Sequence, residues 1–365
     1  MTLEDYYQNG FTGGNSSMLP TNSSIIIYIL KLNSGVEMNA KTKTKMIIAF
    51  VAGFSLSCAA FYGYKKISSN GPVWDRVGSK IFGNFDGDAE IVKIQSSIDN
   101  TFQNAYFFSS KSEKPEPLIV SLHTWSGDYN QEDPIYKLAK KKGYNYIHPD
   151  FRGANDKPDA CLSPKVIQDI TDAIKYAKEK TNANNVYLVG VSGGGYAALG
   201  YYMSGDQNIK KAFAWVPISN LKDWYIQSKN DKNKYATDVL KCSSDGVENE
   251  GSFSKMLSRS PITMTRKNFY PIDIYAGIND GYKGSVSIMQ SINFYNKITS
   301  TDKITDQEII SLVSRQSEAL KDIKIDDRDV FLSRQDNNVS ITIFDGEHEM
   351  LSEFTISEIS KDVLQ

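Results

Sequence analysis

The sequence predicts a doubly wound, mostly parallel α/β sheet over residues 88–365. From about Asp88 onward short apolar runs alternate with amphipathic ones, the order expected of parallel strands joined by crossover helices. The run "NVYLVGVS" (185–192) is nearly all apolar and carries three valines, which suits a central strand buried on both faces. Small residues follow it at once in "GGGYAALG" (193–200), so the next helix can sit tightly against the sheet. In such sheets the ligand site lies at the carboxyl ends of the strands.

Taken in order, "EIVKIQSSI" (90–98) and "NAYFFSS" (104–110) read as two early strands, and "PLIVSLHTW" (117–125) as a short buried strand ending in a polar loop. "DPIYKLAKKKG" (133–143) suits a helix stopped by Gly143, and "YNYIHPDFRG" (144–153) reads as strand then turn. "SPKVIQDITDAIKYAKEK" (163–180) is amphipathic: Val166, Ile167, Ile170, Ala173, Ile174 and Ala177 share one face, and Ser163 with Pro164 suits its start. "KAFAWVPIS" (211–219), "YPIDIYAGIND" (270–280) and "VSITIFDGEHE" (339–349) are strand-like. Two stretches break the rhythm. Residues 218–268 form a polar, Trp- and Lys-bearing excursion expected to pack over the site as a partial lid, and 300–335 are expected to form a helical insertion before the last strand.

Composition narrows the function classes. With 365 residues and 40% hydrophobic content the chain can bury one large core and carry appendages. The balance of 41 basic against 43 acidic residues gives no pull toward nucleic acid. There are three histidines and three cysteines but no C-x-x-C or H-E-x-x-H pattern, so neither a zinc site nor any other cofactor is expected.

Residues 1–45 begin as a polar stretch rich in Asn, Ser, Thr and Gly, expected to be poorly ordered, and end in Lys41, Lys43 and Lys45. A nearly charge-free run from Met46 to Tyr64 follows, closed by Lys65 and Lys66. At about 1.5 Å per residue it just reaches across a bilayer core of roughly 30 Å. The same stretch reads equally as a signal segment, with a basic flank, an apolar centre and the small residues Ser57, Ala59 and Ala60 near its end. Either reading makes the protein membrane-anchored or secreted, with the α/β domain expected on the extracytoplasmic side. Met38, just ahead of the lysines, is a candidate natural start, and residues 65–87 are a linker. In an oxidising compartment Cys161 and Cys242 could form a disulfide; two unrelated buried thiols are the competing reading.

The chemistry centres on Gly190-Val191-Ser192-Gly193-Gly194, which fits the G-x-S-x-G turn of the α/β-hydrolase fold, where a sharp strand-to-helix turn exposes a nucleophilic serine. A serine hydroxyl needs a base, and the base needs an orienting acid; in this fold they follow in the order serine, acid, histidine. His123 and His148 precede Ser192, and only His348 follows it. Asp280 ends the strand "PIDIYAGIND" and is the preferred acid over Asp345, Glu347 and Glu349, while Asp273 lies inside the strand. A tetrahedral intermediate also needs two N–H donors. Gly193 supplies one, and the loop after "LIVSLHTW" offers Thr124 or Trp125 for the other, with Trp125 preferred. Thr124, Tyr196 and Trp224 are candidate pocket residues; His123 reads as a supporting hydrogen-bonding group and His148 as structural.

"GVSGGGYAAL" resembles the G-x-S-x-G-G-Y segment of prolyl oligopeptidase-type catalytic domains. "DFRG" at 150–153 is similar to their Arg-Gly element, and "RSPITMTRKNFYPIDIYAGIND" to their Ser-Pro segment before the acid strand. The resemblance covers about residues 117–350 and implies Ser192 as nucleophile, Asp280 as acid and His348 as base. It implies a serine hydrolase acting on a peptide or acyl-ester substrate, with a carboxylesterase or deacetylase acting on small or carbohydrate-linked acyl groups as the alternative. From another class, a tethered binding protein with an inactive hydrolase fold remains open. The sequence departs from the family in leaving no room for a β-propeller between about residue 67 and the first strands, and in reading His-Thr-Trp-Ser-Gly after Leu122.

Overall fold

The computed structural model describes residues 85–206, 208–244 and 246–364. The expected polar segment, the apolar run 46–64 and the linker up to residue 84 lie outside the described residues. Among the described residues no helix is long and apolar enough to cross a membrane.

Chain order runs β1 (Glu90–Gln95), β2 (Phe102–Phe108), β3 (Leu118–Leu122), α1 (Pro134–Lys142), β4 (Asn145–Pro149), α2 (Pro164–Thr181), β5 (Val186–Val191), α3 (Gly193–Ser204) and β6 (Lys211–Trp215). Three helices follow, α4 (Leu221–Asn230), α5 (Tyr235–Ser244) and α6 (Glu250–Ser258), then β7 (Ile272–Gly277) and α7 (Met289–Ile298). The chain closes with α8 (Asp306–Val313), β8 (Lys324–Ile325), β9 (Arg328–Asp336), β10 (Val339–Phe344) and α9 (Ser352–Val363).

The strands lie in the order β1-β2-β4-β3-β5-β6-β7-β10-β9-β8. The run from β4 to β10 is parallel, and antiparallel strands flank it on both sides. Alternation along β5 explains the two-sided burial. Val186 and Leu188 enter a core with α2 and α3, while Tyr187 and Val189 enter a second core with α1 and α9. Both sets are buried, so the strand is apolar at successive positions.

Local signals set the helix ends. Asp133 caps α1 by accepting from the Ile135 N–H at 3.0 Å, Pro134 occupies the first turn, and Gly143 closes the helix at φ 75°. Asn182, at φ 52°, ends α2 in the same left-handed way.

The fold differs from the sequence expectations in two places. The helical insertion at 300–335 is helical only in α8; β8 and β9 then form, with Leu332 opposite Ile343 and Val330 opposite Phe344 across a register shift in β10, so that Leu332 enters the first core and Val330 the second. Of the expected linker 65–87, the described residues pack on the domain: Phe85 stacks on Tyr106 at 4.0 Å, and Asp86, like Asp88 after it, pairs with Lys140. The excursion at 218–268 is largely helical, in α4, α5, α6 and a 3-10 turn at Pro261–Thr263.

Cys161 and Cys242 are disulfide-bonded with Cα atoms 6.1 Å apart, tying α5 to the segment between β4 and α2 across 81 residues of sequence. Replacing both, Cys161→Ser with Cys242→Ser, is expected to lower stability by about 2–4 kcal/mol, because the unfolded chain regains the freedom of a long loop. Urea unfolding of the double variant beside the oxidised protein checks this, and equal midpoints would contradict it.

Candidate active site

Ser192 sits between β5 and α3 at φ 58°, ψ −116°, a backbone conformation that is strained for any residue with a side chain. Its N–H donates to the Trp215 carbonyl at 2.9 Å, which fixes the turn against β6. The approach on the other side is closer still: a Cβ on Gly194 would collide with the Leu122 carbonyl, and one on Gly193 with the Trp125 amide. Only glycine lets α3 reach β3 and its loop this closely.

Asp280 follows β7 and His348 follows β10, adjacent parallel strands whose carboxyl ends therefore lie side by side. His348 Nδ1 donates to Asp280 Oδ2 at 2.7 Å. The other carboxylate oxygen accepts from Gly281 N–H at 2.9 Å and Val286 N–H at 3.1 Å, so the 3% exposed Asp280 is held on both sides. With Nδ1 committed to the acid, Nε2 is the ring nitrogen left for proton transfer. The competing carboxylates have other partners: Glu347 pairs with Lys283 at 3.1 Å, Glu349 with Arg328 at 3.3 Å, and Asp273 with Lys211 at 2.7 Å. Asp345 is exposed.

Ser192 and His348 share the lining of a cavity of about 330 Å³ with Thr124, Trp125, Gln131 and Tyr235. Thr124 donates its N–H to Gln131 Oε1 at 2.9 Å, which removes that amide from the choice of second donor. The Trp125 N–H has no acceptor among the described residues and lies against Gly193. Gly193 is the first residue of α3, where an N–H has no carbonyl of its own helix to bond. Two amides therefore stand together beside Ser192. Among the described residues no cluster of His, Cys, Asp and Glu is set to hold a metal ion.

Two pocket candidates are displaced. Tyr196 and Trp224 are outside the cavity lining. Tyr196 donates its hydroxyl to the Arg259 carbonyl at 2.7 Å, and Trp224 donates its indole N–H to the Ser285 carbonyl at 2.8 Å. Both rings pack behind Trp125, with centroids 5.8 and 4.6 Å from it, because each polar tip finds its partner in the protein interior. Tyr235, at the start of α5, stacks on Trp224 at 5.1 Å and lines the cavity instead; the sequence placed it in the lid without distinguishing it from its neighbours.

His123 and His148 are buried beneath the site. Burial pushes the His123 imidazole down to about 4, although carbonyls of Thr124 and Asp150 lie 2.9 and 2.7 Å from its ring nitrogens and favour protonation. Burial also lowers His148, partly offset by Asp133.

An unfolded chain takes up a proton at the imidazole near 6.5, whereas folded His123 does not until about 4. Acid therefore favours unfolding between those two values, and the stability contributed by neutral His123 is lost as pH falls through that window. Urea midpoints from pH 7 to pH 4.5 are expected to fall less steeply in His123→Gln than in the parent, and parallel curves would contradict it.

The BD-FAE family model matches residues 106–298, more than half of the chain. No curated protein matches. Among solved structures, an acylaminoacyl peptidase in complex with Z-Gly-Gly-Phe-chloromethyl ketone is 16% identical at a TM-score of 0.50, over 76% of this chain and 40% of that one. Oligopeptidase B from Leishmania major is 13% identical at a TM-score of 0.51, over 76% of this chain and 36% of that one. Esterase Pf2001 of Pyrococcus furiosus is 16% identical at a TM-score of 0.49, over 76% of this chain and 92% of that one. The chain thus spans about two-fifths of the first two, and the resemblance to prolyl oligopeptidase-type domains holds at the level of the fold. By its sheet order, its strand-to-helix turn at Ser192 and its match over residues 106–298, the chain belongs to the BD-FAE family of α/β-hydrolases.

Proposed function

We propose that this protein is a serine hydrolase that transfers an acyl group from an ester or amide to water. The observation that carries the reading is a strained Ser192 sharing one cavity with His348, whose other ring nitrogen is committed to Asp280. His348 Nε2 takes the Ser192 proton as Oγ attacks the carbonyl carbon, and the oxyanion accepts the N–H groups of Gly193 and Trp125. Collapse expels the alcohol or amine, which receives the proton from His348. Water then attacks the acyl-enzyme by the same route, releasing the acid and restoring the serine.

Both a peptidase and a carboxylesterase or deacetylase would use this machinery. We propose a secreted or membrane-anchored location, with this domain outside the cytoplasm, on the apolar sequence run 46–64, and the Cys161–Cys242 disulfide supports it.

A fluorophosphonate probe is expected to label the folded protein and not Ser192→Ala. Labelling that survives the substitution would remove Ser192 as the nucleophile, and an unlabelled parent would remove the mechanism and leave a binding protein. Asp280→Asn is expected to lower kcat on an activated ester by about ten-thousandfold at nearly constant KM, because the imidazole loses its tautomer and orientation. A panel of p-nitrophenyl esters beside Xaa-Pro and acyl-peptide anilides decides between the substrate classes.

A further inference from the structure

Three of the four backbone polar groups of Thr124 and Trp125 are engaged. The Thr124 N–H donates to Gln131 Oε1 at 2.9 Å, the Thr124 carbonyl accepts from Gly127 N–H at 3.1 Å, and the Trp125 carbonyl accepts from Asn155 N–H at 2.8 Å. The fourth, the Trp125 N–H, has no acceptor among the described residues although Trp125 is 2% exposed. Buried amides are rarely left unpaired, so this one is set aside for a group that arrives.

Gln131 makes the arrangement possible. Its Oε1 takes a second bond, from Thr124 Oγ1 at 2.9 Å, so one amide oxygen grips the main chain and the side chain of Thr124 together. The peptide planes on either side of Thr124 are both held: the first through its N–H to Gln131, the second through its carbonyl to Gly127 N–H and the His123 ring nitrogen, while Gln131 also holds the Thr124 side chain between them. The second plane also carries the Trp125 N–H, so fixing one fixes the direction of the other. Gln131 is braced in turn, since its own N–H donates to the Asp128 carbonyl at 3.0 Å. Gly127 leaves the passage through which its side chain reaches Thr124: a Cβ there would collide with Oε1 and come within 3.2 Å of His123 Cβ.

We propose that Gln131 is a positioning residue for the oxyanion site, acting through Thr124 to aim the Trp125 N–H at the carbonyl attacked by Ser192. The proposal rests on the serine-hydrolase reading above. Gln131 does no chemistry on the carbonyl; its contribution is to keep one donor where charge develops.

Two variants test it. Gln131→Met keeps the length of the side chain and removes the acceptor, and Gly127→Ala drives the acceptor away while keeping it in the chain. Each is expected to lower kcat on p-nitrophenyl acetate by about ten- to hundredfold, the effect of a misplaced donor, with KM changed by less than about threefold. Affinity for a trifluoromethyl ketone, whose tetrahedral adduct occupies the same donors, is expected to fall by the same factor as kcat/KM, a link that a merely structural role would not produce. The double variant should lose no more than about the larger single loss, since both act on one brace. Retention of parental kcat/KM in both variants, or a loss confined to KM, overturns the proposal. An active, probe-labelled parent with an undisturbed Gln131→Met removes the brace alone, whereas an inactive, unlabelled parent removes it together with the hydrolase reading.

Discussion

The N-terminus of α3 is pressed against the end of β3 and the loop that follows it. Gly194 lies at the carbonyl of Leu122, Gly193 at the amide of Trp125, and between β5 and the helix Ser192 is held at φ 58°. Strain of this kind costs of order 1–3 kcal/mol and persists only where the surroundings over-determine it. Here β5 is paired on both sides, by β3 and β6, and α3 is buried along nearly its whole length. The contact sets the rest of the site, because it brings the serine, the Gly193 amide and the Trp125 amide into one corner. His348 and Asp280 arrive there from the ends of β10 and β7.

The helices inserted after β6 are bound to that corner by more than packing. Lys234, just before α5, donates to Ser126 Oγ at 2.8 Å. At the far end of the same helix Cys242 is bonded to Cys161, whose N–H donates to Asn155 Oδ1 at 2.7 Å, and the Asn155 N–H in turn holds the Trp125 carbonyl. Helix and donor loop are thus linked at two points by polar or covalent contacts, with Tyr235 on the cavity between them. A shift of α5 would be felt in the placement of Trp125.

Much of this was legible in the sequence because it depends on short-range pattern. The apolar run 186–191 and the glycines after it encode a strand buried on both faces and a close helix, and His348 stood out as the one histidine beyond Ser192. Less legible were features set by contacts between distant residues. Tyr196 and Trp224 are large aromatics near the serine in sequence or in the lid, but which aromatic faces the cavity depends on where Arg259 and Ser285 offer carbonyls. The role of Gln131 carries no sequence signal, since an amide seven residues after Thr124 becomes a partner only when the loop folds back. Residues 324–335 lie inside the expected helical insertion 300–335, and their strand character comes from pairing with β10, a contact between residues that local pattern does not encode.

That pairing changes the standing of the histidine. Without β8 and β9, the strand that leads to His348 would be the border of the sheet, with one row of peptide groups open to water. As built, β10 has β7 on one side and β9 on the other, and the border falls to the two-residue β8. Opening of the sheet from this side must therefore begin at β8 and release β9 before it loosens β10, so His348 hangs from an interior strand and is sheltered from edge fraying by two strands that place no residue in the cavity.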